Sequence, residues 1–453
     1  MRQWSFFLCG RYLRRKRIVL LSISAVMLCC ALLITVASLF TGFIHAFEKS
    51  ESDYMGDVVL IVPEGFRIED FGQLLADIEQ LPTIEAATPA LRSYGLLLTG
   101  PGQVRDVQVL GIDLSSRLRV SPIRDALLRQ KTLPAEQISF DLPGKTAADL
   151  TGGFVGIGLV AGPDEVTDSY DMRQVEAFIG QKAVLTAGTP ANADSQPDRT
   201  DAAPRLVRRV LRFTISDVIQ TGVYRFDQNF IYVPIESLSS LLYPEQKLCA
   251  DAVQVRLKKG ADEEVAAAMI RGVWRVYAEG RYNWADYVFI GSSRQMQARL
   301  VAEFYKQLDM LMMIFGIVSF AVVLLVFCIF YMIVMTKQKD IGVVKSCGAS
   351  GISVAGLYFF FGIVNGAVGS ALGAVLGWLI TVNIELIEKG ITATTGLKIW
   401  KASTYMFDRI PSEVNWDWAL WICLAAVVAA AVGSLIPAAA AARVEPVKIL
   451  RYE

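Results

Sequence analysis

Four apolar runs punctuate this chain, at Ile18–Ala46, Met310–Met335, Val354–Ile384 and Trp418–Pro437, with mixed polar and apolar sequence between them. A hydrocarbon layer of ~30 Å needs ~20 helical residues, so each run is long enough to cross a bilayer. Their spacing is uneven: one run, a long insert, then three runs in quick succession. The pattern predicts a multi-pass α-helical membrane protein with four transmembrane helices in a one-plus-three order. The divisions read as a leader at 1–17, spans at 18–46, 308–335, 353–384 and 418–437, a folded insert at 47–307, a connector at 336–352, a loop at 385–417 and a tail at 438–453.

Within the insert, short β-branched runs bounded by turn residues predict strands at Asp57–Val62, Val104–Ile112, Arg208–Ile219, Asn229–Val233 and Ala252–Leu257. Helical periodicity marks Ile68–Leu81, Ile235–Leu242 and Ala261–Tyr277. Interleaved strands and helices point to an α+β domain, and its length suggests two subdomains. Residues 187–205, with Pro190, Pro197 and Pro204, read as a projecting loop or loose hairpin between two strands. From Ser292 the pattern turns helical, with Gln297, Leu300, Phe304 and Leu308 on one face. The second span is then either a continuous helix reaching beyond the bilayer or one broken near Asp309. In the third span Gly362 and Gly366, then Gly369, Gly373 and Gly377, recur at four-residue spacing, and the fourth offers Ala425, Ala429 and Gly433. Small residues at this interval let helix backbones approach closely.

Charge sets the orientation. Arg11, Arg14, Arg15, Lys16 and Arg17 crowd the start of the first span with no acid among them, which places the N-terminus in the cytoplasm by the positive-inside rule. The insert and the 385–417 loop are then outside, the connector and tail inside, in keeping with Arg443, Lys448 and Arg451. Trp4, Phe7, Leu8 and Tyr12 among those basic residues suit a helix lying in the interface, or a frayed extension of the first span. The first run is longer than the ~7–15 residues of a secretory h-region, so it reads as an uncleaved anchor.

Composition excludes more than it assigns. The chain has 453 residues, 53% of them hydrophobic, and a formal net charge of zero, which argues against a nucleic-acid binder. Of the seven cysteines only Cys249 falls in the insert, so no disulfide framework holds it. The four apolar cores contain no charged side chain, leaving no candidate proton relay or ion path. One histidine, His45, and no cysteine pair at metal spacing exclude the usual zinc sites, and no phosphate-binding Gly-x-x-x-x-Gly-Lys-Ser/Thr loop occurs. Gly156, Gly158 and Ala161 imitate a dinucleotide fingerprint, but Pro163 and Asp164 follow where a helix should open. Catalytic and metal-binding constellations are thus absent from the sequence pattern.

The sharpest local signal is the connector, Thr336-Lys-Gln-Lys-Asp-Ile-Gly-Val-Val-Lys-Ser-Cys-Gly-Ala-Ser350. As a helix it places Ile341, Val344, Lys345 and Gly348 on one stripe. Asp340 stands toward its N-terminus, Lys345 toward its C-terminus, and Gly348 is suited to a left-handed stop. It reads as a docking knob for a soluble partner or as an amphipathic hairpin connection. The stretch Lys339–Ser350 resembles the cytoplasmic signature of the permeases grouped with FtsX, MacB and the lipoprotein-releasing LolC/LolE proteins. Ile436–Glu453 looks like the terminal motif of the same superfamily. Gly42-Phe-Ile, Val109–Asp113, Thr221–Glu236 and Ser403–Pro411 are similar to tracts of LolC/LolE.

That resemblance implies an α+β periplasmic domain with a MacB-like core, in the inner membrane of a two-membrane bacterium. It implies a non-catalytic permease subunit that binds no cofactor itself and pairs with a second permease chain, identical or paralogous. A cytoplasmic ATPase dimer would bind ATP and Mg, and the outer domain would pass its movement to a lipoprotein client and a periplasmic carrier. Ile341, Gly342, Val344, Lys345 and Gly348 are then expected to meet the ATPase. Leu39, Phe43, Phe47, Met310, Met313 and Ile314 are the candidates for client contact, with simple packing or lipid exposure as the alternative. In LolC a Pro-bearing hairpin recruits the carrier; Pro190, Pro197 and Pro204 sit comparably, without aromatic or Met residues around them. A MacB-like efflux permease and an FtsX-like signalling device acting on a wall hydrolase are the competing readings. In the first the ATPase is commonly fused ahead of the first span, and in the second the outer domain is smaller.

Overall fold

The computed structural model describes residues 17–100, 103–141, 151–164, 167–190, 206–396, 398–443 and 445. They divide into two compact units. One holds the described residues up to Ala46, Val301–Ile387 and those from Ile410 onward; the other holds Phe47–Leu300 and Glu388–Arg409. The expected N-terminal interfacial helix and most of the C-terminal tail lie outside the described residues.

Four helices, Arg17–Met55, Ser293–Thr336, Gly351–Val382 and Trp416–Ala442, are long and apolar enough to cross a membrane. The second is unbroken through Asp309, which decides that choice for the continuous helix. The third starts on Ser350, whose hydroxyl accepts the Ser353 N–H at 3.2 Å, and the fourth on Asn415, which accepts from Trp418 N–H at 3.2 Å. Glycine organises the helical unit by exposing backbone on two faces of the third helix. A Cβ at Gly362 would fall 2.5 Å from Ser434 Cβ and one at Gly366 2.7 Å from Ala430 Cβ, both on the fourth helix. At Gly369 and Gly373 it would fall 2.8 Å from Val26 Cβ and 2.6 Å from Cys30 Cβ, both on the first. Buried Asn365 adds a polar tie, its amide donating to Ser22 Oγ at 2.5 Å.

The α+β unit is built on one nine-stranded sheet. In spatial order its strands are Phe289–Ser292, Val58–Ile61, Ala252–Leu257, Ile84–Gly100, Gln103–Ile112, Phe230–Pro234, Thr151–Gly156, Leu206–Ile219 and Lys182–Pro190. The last of these pairs back onto Ile84–Gly100, with Leu97 opposite Leu185, so that six strands close into a ring. Most pairs are antiparallel; Gln103–Ile112 with Phe230–Pro234, and Thr151–Gly156 with Leu206–Ile219, run parallel. A hydrophobic cluster runs from Val58 and Leu60 to Leu185 and Phe213, and further buried residues, among them Ile112, Ile123, Phe140, Phe154 and Phe226, lie outside it. Helix Glu263–Ala278 covers one end of it, capped by Asp262 and burying Ala266, Ile270 and Trp274.

Two expectations need correction. Ile68–Leu81 is not one helix: Ile68–Glu69 pairs as a strand with Cys249–Ala250, Asp70 turns the chain at φ +53°, and the helix spans only Gly72–Glu79. The 385–417 segment is not a plain loop either. Helix Ile384–Thr395 enters it, and residues 398–408 dock on the α+β unit. There Asp168 accepts the Ala402 N–H at 2.7 Å, Tyr224 N–H donates to Met406 carbonyl at 2.8 Å, and Val223 bridges Phe407. The dinucleotide-like glycines hold no phosphate cradle, because a Cβ at Gly158 would fall 2.1 Å from the Gln228 amide nitrogen.

Candidate functional site

The connector forms a nine-residue helix, Gln338–Ser346. Lys337 ion-pairs with Asp340 in its first turn, and acid at that end suits the helix dipole. Its C-terminus closes in a Schellman motif: Gly348 N–H donates to Lys345 carbonyl at 3.0 Å, Ala349 N–H to Val344 carbonyl at 3.4 Å, and Gly348 takes φ +94°. The Lys345 ammonium donates to the Ala442 carbonyl at 2.9 Å, capping the end of the fourth long helix. Ile341 packs into the helical unit's core with Val334, Val354, Tyr358 and Ala441, and Gly342 is buried beside it.

The five residues expected to meet a partner therefore divide. Ile341 and Gly342 face inward, and Lys345 is engaged with the last helix, so these three anchor the connector. Val344 and Gly348 are open, and Val343, which the sequence reading did not select, is exposed alongside Val344, at 52% and 50% respectively. Two adjacent valines standing in solvent on a short basic helix form a small apolar contact face. Their adjacency was visible in the sequence, but which side of the stripe the chain itself covers was not.

The apolar candidates also divide. Met310, Met313 and Ile314 are exposed on the second helix. Leu39 and Phe43 are half-buried, Phe43 standing edge-on to Phe304 at 5.3 Å, and Phe47 is buried. Phe47 is thus the least available of the six. Sequence reasoning missed a crevice of about 200 Å³ between the first, second and fourth helices, walled by Val26, Leu33, Val322, Val326, Ile422 and Ala425. Cys29 and Ser319 meet across it at 3.7 Å, and no charged side chain lines it. Such a surface accepts hydrocarbon and rejects ions. Pro190 ends a strand opposite Leu206, while Pro197 and Pro204 lie outside the described residues. Among the described residues no group of three His, Cys, Asp or Glu could hold a metal.

Residues 312–446, from within the second helix through the connector and the third and fourth helices, match the FtsX-like permease C-terminal family. Over that stretch the chain is similar to the FtsX-like permeases. Along almost its whole length the chain is similar to the lipoprotein-releasing system transmembrane protein LolC of Neisseria meningitidis serogroup B, at 25% identity over 98% of both chains. It is similar to LolE of Haemophilus influenzae at 22% identity, again over 98% of each, and to LolC of Xylella fastidiosa strain Temecula1 at 26%, over 98% and 97%. Among solved structures, the periplasmic region of MacB from Actinobacillus actinomycetemcomitans aligns at 12% identity and a TM-score of 0.32, over 56% of this chain and 97% of that one. The extracellular domain of the Gram-positive transporter YknZ aligns at 10% identity and a TM-score of 0.30, over 52% and 98%.

Proposed function

We propose that the chain is the non-catalytic permease subunit of an ABC complex that releases lipoproteins from the inner membrane toward a periplasmic carrier. The observation that carries this reading is similarity to LolC and LolE over 98% of the chain, spanning both the helical and the α+β unit. In this scheme a separate ATPase dimer holds ATP and Mg in the cytoplasm and grips the connector through Val343, Val344 and the Gly348 turn. Ile341 and Lys345 pass the resulting displacement into the helical unit. The first and second helices, which run on past the bilayer-length segments, carry it to the α+β unit on the periplasmic side. The client is met by apolar side chains, Met310, Met313 and Ile314 of the second helix and Leu39 and Phe43 of the first, which suit acyl chains because they demand no desolvation of charge. A second permease chain completes the pair, and residues 187–205, with Pro190, Pro197 and Pro204, are the candidate carrier contact.

The test is reconstitution of the complex in proteoliposomes with a lipoprotein, ATP and a carrier. Release that depends on ATP is expected; none with any carrier offered would overturn the reading. Val344→Asp should weaken ATPase binding at least ~10-fold and abolish stimulated hydrolysis, since it buries an unpaired charge in the contact. Orientation is read separately. Cys249 is fully buried and a poor labelling site, so a cysteine replacing Tyr287, 76% exposed, is the better reporter. It should react with membrane-impermeant maleimide from the periplasmic side.

A further inference from the structure

A cavity of about 140 Å³ opens in the α+β unit between strands Ile84–Gly100 and Gln103–Ile112 and the short helix Tyr224–Asn229. That is close to the ~150 Å³ that takes up a benzene-sized ligand. Phe226, Phe230 and Tyr232 supply aromatic walls, and Arg92 and Arg225, both exposed, stand among the lining residues. Arg117 lines it from within and is 1% exposed.

Arg117 is unusual for its surroundings. Its Nη1–H donates to the Gln254 side-chain oxygen and its Nη2–H to the Tyr54 carbonyl, both neutral acceptors. Its Nε–H has no acceptor, and no carboxylate pairs with it among the described residues. Neighbouring arginines are neutralised: Arg92 by Asp251 at 2.9 Å and Arg256 by Asp57 at 3.0 Å. The buried carboxylate nearby, Asp227, is taken up by Thr221 and Gly222. Burial pushes the Arg117 guanidinium down to about 10, still charged at neutral pH. A guanidinium used only as scaffold is ordinarily buried with its counter-charge, because an uncompensated buried ion is strongly unfavourable. Here the counter-charge is missing, and Arg117 is among the residues that line a cavity of ligand size.

We propose that this cavity binds a phosphate-class oxyanion, with Arg117 as its buried anchor and the exposed Arg225 at its mouth. Beyond its bonds to Gln254 and Tyr54, the guanidinium keeps its Nε–H and one hydrogen on each Nη for such an anion, and Arg225 and Gln108 are among the other lining residues. The inference stands on the α+β unit alone and does not depend on which client the permease carries.

The experiment uses full-length protein in detergent micelles, with inorganic phosphate, glycerol 3-phosphate and dihexanoyl phosphatidylglycerol below its micelle concentration as probes. Calorimetry should show saturable binding of one phosphate per chain, with a rise in the thermal midpoint. Arg117→Met should weaken binding ~10- to 100-fold, the range for hydrogen bonds to a charged group. Arg117→Lys, which keeps the charge and loses the fork, should fall between the two. Arg225→Gln, an exposed change that leaves the core intact, should weaken binding ~2- to 5-fold and keeps the test open if Arg117→Met does not fold. A tenfold preference for the lipid over inorganic phosphate assigns the site to a headgroup; equal or weaker lipid binding assigns it to a free anion. No saturable phosphate binding by the wild-type protein, or binding that Arg225→Gln and every foldable Arg117 variant leave unchanged, would overturn the proposal.

Discussion

Gly373→Ala is the smallest perturbation that probes how the helical unit holds together. The added methyl would sit 2.6 Å from Cys30 Cβ and 2.7 Å from the Met27 carbonyl oxygen, where ordinary contact begins near 3.4 Å. Both obstacles lie on or next to backbone, so no side-chain rotation relieves them. The first and third helices must separate by ~1 Å, and a gap of that size forfeits about a quarter to a half of the attraction at each contact it opens. Overpacking of this kind costs ~1–3 kcal/mol. Replacing glycine by alanine inside a helix returns ~0.5–1 kcal/mol through backbone entropy. The net expected loss is ~1–2 kcal/mol.

The control is Gly316→Ala on the second helix, where a Cβ meets nothing within 4 Å. Only the backbone term acts there, so a gain of ~0.5–1 kcal/mol is expected. The two variants should thus differ by ~2 kcal/mol in opposite directions, about 30-fold in an equilibrium constant. Unfolding in mixed micelles, followed by tryptophan fluorescence against denaturant fraction, reads the difference. Equal midpoints for the two variants would refute the argument that glycine backbones set the spacing of the first and third helices.

Gly348→Ala tests the connector's stop: nothing within 4 Å would clash, so only φ +94° opposes it, at ~1–2 kcal/mol, and amides of 338–346 should exchange faster in hydrogen–deuterium exchange while Gly348→Asn is milder. Asp227 supplies a pH signature. Burial pushes its carboxyl up from 3.8 to about 7, Asp408 adding to the rise while Thr221 and Gly222 donors oppose it. A folded-state value above the unfolded one means its stabilising contribution is complete below about pH 4 and is lost as pH climbs through about 7. The unfolding midpoint of the wild-type protein relative to Asp227→Asn should therefore fall between about pH 4 and pH 7; a rise over that interval would contradict the assignment.

Much of the architecture was legible because it rests on long-range composition or strong local pattern. Four apolar runs identified four helices, and β-branched alternation located Ala252–Leu257 and Phe230–Pro234 to within a residue. The strands that were not foreseen have poor intrinsic propensity. Thr151–Gly156 carries Gly152 and Gly153 side by side, which reads as a turn. The fold needs both: a Cβ at Gly152 would fall 1.6 Å from the Phe140 carbonyl oxygen, and one at Gly153 2.8 Å from the Phe213 ring. Ile84–Gly100 contains Ala86, Ala87, Pro89 and Gly95 and is a strand because partners flank it on both sides, a fact of tertiary structure.

Site residues were less legible, for a related reason. Periodicity shows that a face is apolar, but not what covers it. Ile341 and Val344 sit on one stripe of the connector three residues apart, equivalent by any sequence criterion. Ile341 is covered by Ala441 and Tyr358 of the chain itself, and Val344 is left in the open. The same holds in reverse for Arg117, which within Leu114-Ser-Ser-Arg-Leu-Arg-Val120 reads as a solvent-facing charge and is the most deeply buried cation among the described residues of the α+β unit. Its neighbour Arg119, two residues on, is exposed and pairs with Glu79 at 2.9 Å. A two-residue shift on a helix turns a side chain by ~200°, so of two arginines in that short helix one must point inward if the other points out. Only the sheet beneath decides which, and one of the three buried positions of the helix, beside Ser116 and Val120, holds a charge without a counter-charge among the described residues.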